Sequence, residues 1–378
     1  MEQQIEEKKK QKIKLNRMQW TLIIGLLVMA GVLVYALVKN NRVSGSYEVV
    51  TSLSRGDDTS SYYQIMRKGM IKYSNNGIAM TDKAGNLIWS QTYEMSSPAL
   101  AVNDPYVAVG DIGANTIYIF NEYGQLGRVN TDVPVEEIQI SAQGVIAAVL
   151  SDTSTNYINL YDKQGNVLGS IKASLQNTGY PLAIALSSDA TRLVASYLWM
   201  DGSSVKSRII SYDFSDTEEE HVSDTLELEE LYPKVEFIDG NRIVLFGEKS
   251  FTLYNIAKKE ITAQQTFEKE IASIFCSDQK IGFIFNNSDE NGKYYMEVYN
   301  KAGKRTAAVY FDFDYDGISV SDNEIVLYST QEMAVYQFNG NLKFTSTLNT
   351  SVTSVIPSWE SDLYWLVDDQ SLREIRIK

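Results

Sequence analysis

From Ser44 onward the chain alternates short apolar runs with polar turn residues, and the three-to-four spacing of an amphipathic helix is hard to find. The pattern predicts strands joined by tight turns. One turn recurs along the chain. Thr81-Asp82-Lys83-Ala84-Gly85-Asn86-Leu87 matches Tyr161-Asp162-Lys163-Gln164-Gly165-Asn166-Val167, and both match Tyr299-Asn300-Lys301-Ala302-Gly303-Lys304. Phe120-Asn121-Glu122-Tyr123-Gly124-Gln125-Leu126 and Phe338-Asn339-Gly340-Asn341-Leu342 belong to the same set. Each reads as a strand, a turn with a Gly available for positive φ, and a second strand. Two weaker copies, at Tyr212-Asp213-Phe214-Ser215-Asp216 and Tyr254-Asn255-Ile256-Ala257-Lys258, lack the Gly. The steps between copies run about 37–51 residues, the span of one propeller blade.

A second turn recurs out of phase, at Lys68-Gly69 and then around Asp104, Gly144, Asp189, Gly240, Asp278, Asp322 and Asp362. There are thus eight inner turns against seven outer hairpins. The last blade has only three strands of its own, Val352–Ser358, Leu363–Val367 and Leu372–Ile377. The unused run at the other end, Tyr47–Leu53, is expected to supply its fourth strand and close the ring, which removes exposed sheet edges. The predicted fold is an all-β, eight-bladed propeller over residues 47–378, with seven blades as the alternative.

Residues 20–38, from Trp20 to Val38, break this pattern. They are uncharged and apolar, and as a helix they would cover roughly 28 Å, close to the thickness of a bilayer core. Six basic residues between Lys8 and Arg17 precede the run, and only Lys39 and Arg42 follow it before the body begins. That asymmetry predicts a transmembrane helix with a cytoplasmic basic tail, residues 1–19, and an extracytoplasmic body. The run is longer than a signal-peptide core and lacks a small-x-small cleavage site. A linker, residues 39–46, joins the helix to the propeller and reaches at most about 28 Å.

Charge and composition then narrow the chemistry. Residues 1–42 carry a net +5, so the body carries −19 of the chain's overall −14. A body this acidic is a poor match for nucleic acid. The single cysteine, Cys276, excludes an intrachain disulfide, which suits a bacterial envelope better than a eukaryotic secretory route. The single histidine, His221, ends an acidic run and reads as a solvated loop residue. Cys276, in Ile274-Phe275-Cys276, reads as a small core residue. Trp199, Trp359 and Trp365 suit blade packing before sugar stacking. No catalytic constellation emerges, and the expectation is a protein that is not an enzyme.

The repeat carries a resemblance. Asp82-Lys83-Ala84-Gly85-Asn86-Leu87-Ile88-Trp89 is similar to the hairpin of quinoprotein-like and WD-type propeller repeats, with one residue fewer before the Gly. Trp89 is the only Trp at that position, so the full tryptophan-docking signature is absent and quinone binding does not carry over. The layout of basic tail, anchor and propeller resembles an uncharacterised family of single-pass bacterial envelope proteins. That resemblance spans the chain and implies no assigned activity.

Topology orients the disc. In a four-stranded blade the inner turn and the outer hairpin share one face, and the loops between the second and third strands share the other with the blade-to-blade connections. The short linker places the hairpin face, with Lys83, Lys163, Lys258, Lys259, Lys301, Lys304 and Arg305, toward the membrane. The distal face then carries Asp111, Asp152, Asp201, Glu248, Asp289, Glu290, Glu332, Asp368 and Asp369. Of these, Asp111, Asp152, Asp201, Asp289, Glu332 and Asp368 are the expected binding residues. Asp312-Phe313-Asp314-Tyr315-Asp316-Gly317 has the alternating carboxylates and Gly of a calcium loop, but Asn323 stands at the twelfth position. Asp312, Asp314 and Asp316 are therefore the candidate calcium ligands, and the alternative is an alternating strand facing water. The functional expectation is a membrane-anchored scaffold binding another envelope component, in the first place a protein. The alternatives are a glycan-binding or glycan-cleaving ectodomain and a calcium-dependent adhesion module.

Overall fold

The computed structural model describes residues 20, 22–31, 43–56, 60–152, 155–174, 178–215, 221–321 and 323–378. Within them, 32 strands form eight four-stranded antiparallel sheets. Blades 1 to 7 are continuous in sequence: Tyr62–Thr92, Pro98–Asn130, Val135–Ala173, Tyr180–Leu228, Lys234–Thr266, Ile271–Phe311 and Gly317–Thr347. Blade 8 combines Val352–Ile377 with the N-terminal strand Tyr47–Ser54. Strands in each blade are lettered A to D from the centre outward. Eight blades, not seven, close the ring.

The recurring turn has a physical cause. In blade 1 the Asp82 carboxylate accepts the backbone N–H groups of Ala84 and Asn86 and the Asn86 side-chain amide, at 2.8–2.9 Å. Asp162 makes the same three bonds to Gln164 and Asn166 in blade 3. The chain reverses through Gly85 and Gly165 at φ 87° and 94°, which a side chain would strain. A register shift follows on re-entering strand D, a bulge that twists the outer strand. In blade 5, which lacks the Gly, Lys259 itself takes φ 56°.

Burial falls from the middle of each blade to its rim. Strand B of blade 3, Ile146–Ser151, and of blade 8, Leu363–Asp368, are buried at every position, because blades cover both faces. Outer strands expose alternate residues or more, as in Glu260–Thr266. The apolar clusters lie in the seams between blades, one seam for each neighbouring pair. Trp89 sits in such a seam, stacked on Phe120 of blade 2 at 5.0 Å.

The N-terminal strand pairs along strand C of blade 8, from Tyr47 opposite Ile377 to Ser54 opposite Ser371. Just before it, Ser44 bonds both ways with the outer strand of blade 7, through Lys343 O and Thr345 N. The chain therefore arrives on the face of the inner turns and outer hairpins, as the topology argument required. Upstream, residues 22–31 are helical, with Leu22, Ile24, Leu26, Leu27, Val28 and Met29 exposed. Among the described residues no helix is long and apolar enough to cross a membrane. Residues 1–19, the rest of the 20–38 segment and residues 39–42 lie outside the described residues, as do Asp216–Glu220 and Asp322.

Candidate functional site

Every predicted binding residue falls on the face of the B–C loops, on or beside one of them. Asp111 and Asp368 end strand B of blades 2 and 8, and Asp152 follows strand B of blade 3. Asp201 ends strand B of blade 4, Asp289 lies in the blade 6 loop, and Glu332 opens strand C of blade 7. Their chemistry divides them. Asp111, 7% exposed, accepts the backbone N–H groups of Ser96 and Ser97 and pins the blade 1–2 connection. Asp152 accepts Thr155 N at 3.0 Å within its own turn. Burial opposes charge on Asp368, but hydrogen bonds from Gln370, Ser371 and Thr350 outweigh it and hold the carboxyl below its usual range. These three stabilise loops. Asp201, Asp289 and Glu332 are exposed, and Asp201 and Asp289 pair with Lys206 and Lys269 at 3.0 and 2.9 Å.

The carboxylates of the calcium-like motif serve separate partners. Asp312 accepts Lys293 N, Asp314 pairs with the Lys293 ammonium at 2.6 Å, and Asp316 accepts Thr330 N. Among the described residues no group of three His, Cys, Asp or Glu side chains is gathered for a metal ion. His221 is less solvated than its sequence context predicts. It packs edge-on against Phe214 at 5.0 Å, and its backbone carbonyl accepts Asp213 N. Burial, with Glu236 beside it, pushes the Cys276 thiol up to about 12, so it is inert at neutral pH.

One feature of the B–C face stands apart. Strands B and C of blade 4, Arg192–Asp201 and Ser204–Asp213, are ten residues each, against five to seven for strand B elsewhere. Strand A pairs only as far as Leu198, and strand D only from Ser207. Residues 199–206 therefore stand free as a two-stranded tip, about 10 Å long at ~3.3 Å per residue. Gly202, at φ 61°, makes the two-residue reversal. Met200 and Val205 face each other across the tip and are 50% and 42% exposed. On the other face of the ribbon the Arg208 guanidinium lies 3.7 Å from the Trp199 ring centroid and bonds Glu227 at 2.8 Å. Lys206 bridges Asp201 and Glu229.

The central channel is the second candidate. A cavity of about 880 Å³ runs along the inner strands of blades 2 to 5 and carries Glu136, Glu137, Glu236 and Tyr180 on its wall. Glu137 reaches to the next blade and accepts Ile184 N at 3.1 Å, capping a channel-side donor that has no strand partner. Burial pushes its carboxyl up to about 7, against the hydrogen bonds from Gln139 and Ile184. A folded-state pKa above the unfolded value means that stability is lost as pH rises from about 4.5 through 7. Glu137→Gln is expected to remove that loss and to exceed the wild type by about 2–3 kcal/mol at about pH 8. Urea unfolding at about pH 5 and 8 reads it, and identical pH slopes for the two proteins would contradict it.

Solved propellers resemble the chain in fold. BamB from Moraxella catarrhalis is 11% identical with a TM-score of 0.55, over 88% of this chain and 100% of that one. Sqt1 from Saccharomyces cerevisiae is 11% identical with a TM-score of 0.60, over 89% of this chain and 100% of that one. At such identities the likeness is one of fold alone. No curated protein matches the chain by sequence. A family model does match, over residues 40–377, which is nearly the full length, and the chain belongs to that family of unknown function, DUF5711.

Proposed function

We propose that this chain is a membrane-anchored, extracytoplasmic propeller that binds a protein partner of the cell envelope through its distal face, without catalysis. The observation that carries the reading is the free-standing tip of blade 4. It presents Met200 and Val205, exposed and clear of strands A and D, with the Trp199–Arg208 pair at its base on the other face of the ribbon. Aromatic and Arg anchors ringed by charge are the composition of binding hot spots. Glu332, exposed on the same face, would favour a basic partner.

The opposite face suits a membrane. The chain arrives there at Ser44, and the apolar segment lies just upstream. Lys83, Lys163 and Lys301 lie in its hairpins, and Leu87, Val167 and Leu168, at the adjacent starts of outer strands, are 63%, 63% and 58% exposed. Lysines beside exposed aliphatic groups fit an anionic lipid surface.

The double variant Met200→Asp/Val205→Asp tests the reading in the full-length protein purified from its own membrane. Residues 199–206 carry no part of any seam cluster, so folding is expected to be unchanged. Partner retention is expected to fall about 30-fold, the effect of one lost hot spot at ~2 kcal/mol. Unchanged retention would overturn the distal tip as the binding site.

A further inference from the structure

Near the hairpin-face end of strand D, an extra residue interrupts the pairing with strand C in all eight sheets. The fold therefore sets out eight equivalent pairs of positions around the rim, each a paired residue and the extra residue after it. Their sequences differ by sector. Val49-Val50 in blade 8, Leu87-Ile88 in blade 1 and Val167-Leu168 in blade 3 are aliphatic at both positions, and Gln125-Leu126 in blade 2 at one. These seven aliphatic side chains are 36–63% exposed. Blades 4 to 7 carry Val222-Ser223, Ile261-Thr262, Arg305-Thr306 and Leu342-Lys343. Of these, Val222 and Ile261 alone are exposed aliphatics. The bulge itself does not demand an apolar side chain, since Ser, Thr and Lys serve at the extra position in blades 4 to 7. An exposed aliphatic surface confined to one continuous arc, blades 8, 1, 2 and 3, marks something that meets that arc.

The charges of the arc fit a bilayer surface. The carboxylates of its hairpins and of its entering strand are engaged. Asp82 and Asp162 are held by the backbone of their own turns, Glu122 pairs with Lys68 at 2.5 Å, and Glu48 pairs with Lys378 at 2.7 Å. Lys83 and Lys163 lie in the hairpins that lead into the aliphatic pairs of blades 1 and 3, and Tyr123, in the hairpin of blade 2, is 77% exposed. The chain also enters at this arc. Val43 is exposed, Ser44 bonds the outer strand of blade 7 just before strand D of blade 8 begins, and the apolar run 20–38 lies just upstream.

We propose that the propeller leans on the membrane, sinking the rim from blade 8 to blade 3 into the lipid interface and lifting blades 4 to 7 clear of it. This deepens the membrane-anchored reading and rests on it, because the anchor holds the arc at the bilayer. The aliphatic pairs leave water for the boundary between headgroups and acyl chains, Tyr123 suits the headgroup level, and Lys83 and Lys163 reach lipid phosphates.

Quenching by lipid-borne nitroxides tests the lean in the full-length protein, held in phosphatidylcholine nanodiscs. A bimane label is attached to one cysteine at a time, introduced as Ile88→Cys, Leu168→Cys, Thr306→Cys or Gly25→Cys in a Cys276→Ser background. All four positions are exposed. Labels at 88 and 168 are expected to shift to the blue and to lose most of their emission to nitroxides at the acyl boundary. The label at 306, the equivalent extra position of blade 6, is expected to keep its emission. The label at 25 reports the anchor by itself. Quenching at 25 with none at 88 and 168 would overturn the lean and leave the anchor standing, whereas no quenching at 25 would overturn the anchor and the lean with it. Equal quenching at 88, 168 and 306 would mean a disc lying flat. A blue shift at 88 and 168 without quenching would mean that a second copy of the chain covers the arc. Either result overturns the proposal.

Discussion

Deleting residues 43–54 is expected to abolish cooperative folding of the propeller. The segment supplies the whole outer strand of blade 8, with seven paired positions along strand C. It also holds the ring from three sides. The Tyr47 ring meets Phe344 of blade 7 at 6.4 Å, and its hydroxyl oxygen accepts Asn349 N. Ser44 extends the outer strand of blade 7. Leu53 packs into the closing seam, which is already the least filled of the eight. Without the segment, strand C of blade 8 becomes a free edge, open to pairing with other chains. The loss is comparable with the ~5–15 kcal/mol that separates a folded domain from its unfolded chain. Thermal unfolding followed by circular dichroism, with light scattering for aggregation, reads the outcome. A single sharp transition near the full-length midpoint would contradict closure by this strand.

The second large effect is expected at Gly282, in strand B of blade 6. It pairs directly with Phe275, whose ring lies over it. A Cβ at 282 would stand 1.8 and 2.0 Å from two ring atoms. Phe275 is 5% exposed and belongs to the cluster between blades 6 and 7, so its ring cannot step aside freely. Gly282→Ala is expected to cost about 3 kcal/mol, at the upper end of overpacking penalties. The cause can be isolated. Phe275→Leu alone leaves a cavity, but in its presence Gly282→Ala gains room. The double variant should therefore be more stable than the sum of the single effects predicts, with a coupling of about 1–2 kcal/mol by urea unfolding. Strict additivity would mean that the ring is not the obstacle.

Much of this architecture was legible in the sequence because the propeller is written in local chemistry. The Asp-x-x-Gly-Asn hairpins declare themselves through side chains that bond their own turn, as Asp82 and Asp162 do. Closure followed from an arithmetic mismatch between inner turns and outer hairpins, and the Tyr47 strand falls where that mismatch placed it. The sidedness of the acidic residues was equally local, since it depends only on strand order.

Their roles were not legible. Asp111 and Asp368 look like Asp201 in sequence, but they are buried and engaged by loop N–H groups, which depends on how neighbouring connections approach. The free-standing tip had a signal that could have revealed it. The step from the blade 3 turn to the blade 4 turn is the longest, about 51 residues, and Gly202-Ser203 sits within that excess. Glu137 gave no warning, because its raised pKa comes from the inner wall of a ring assembled from distant segments.

We propose that the distal face, led by the blade 4 tip, meets a protein while the hairpin face turns to the membrane. Site-specific photo-crosslinking in the native membrane tests it most directly, with the reactive group at Met200 or Asp289 on one face and at Lys163 or Lys301 on the other. One dominant protein adduct is expected from Met200 and Asp289 that is missing from Lys163 and Lys301. Protein adducts from the hairpin face alone, or from neither face, would contradict it.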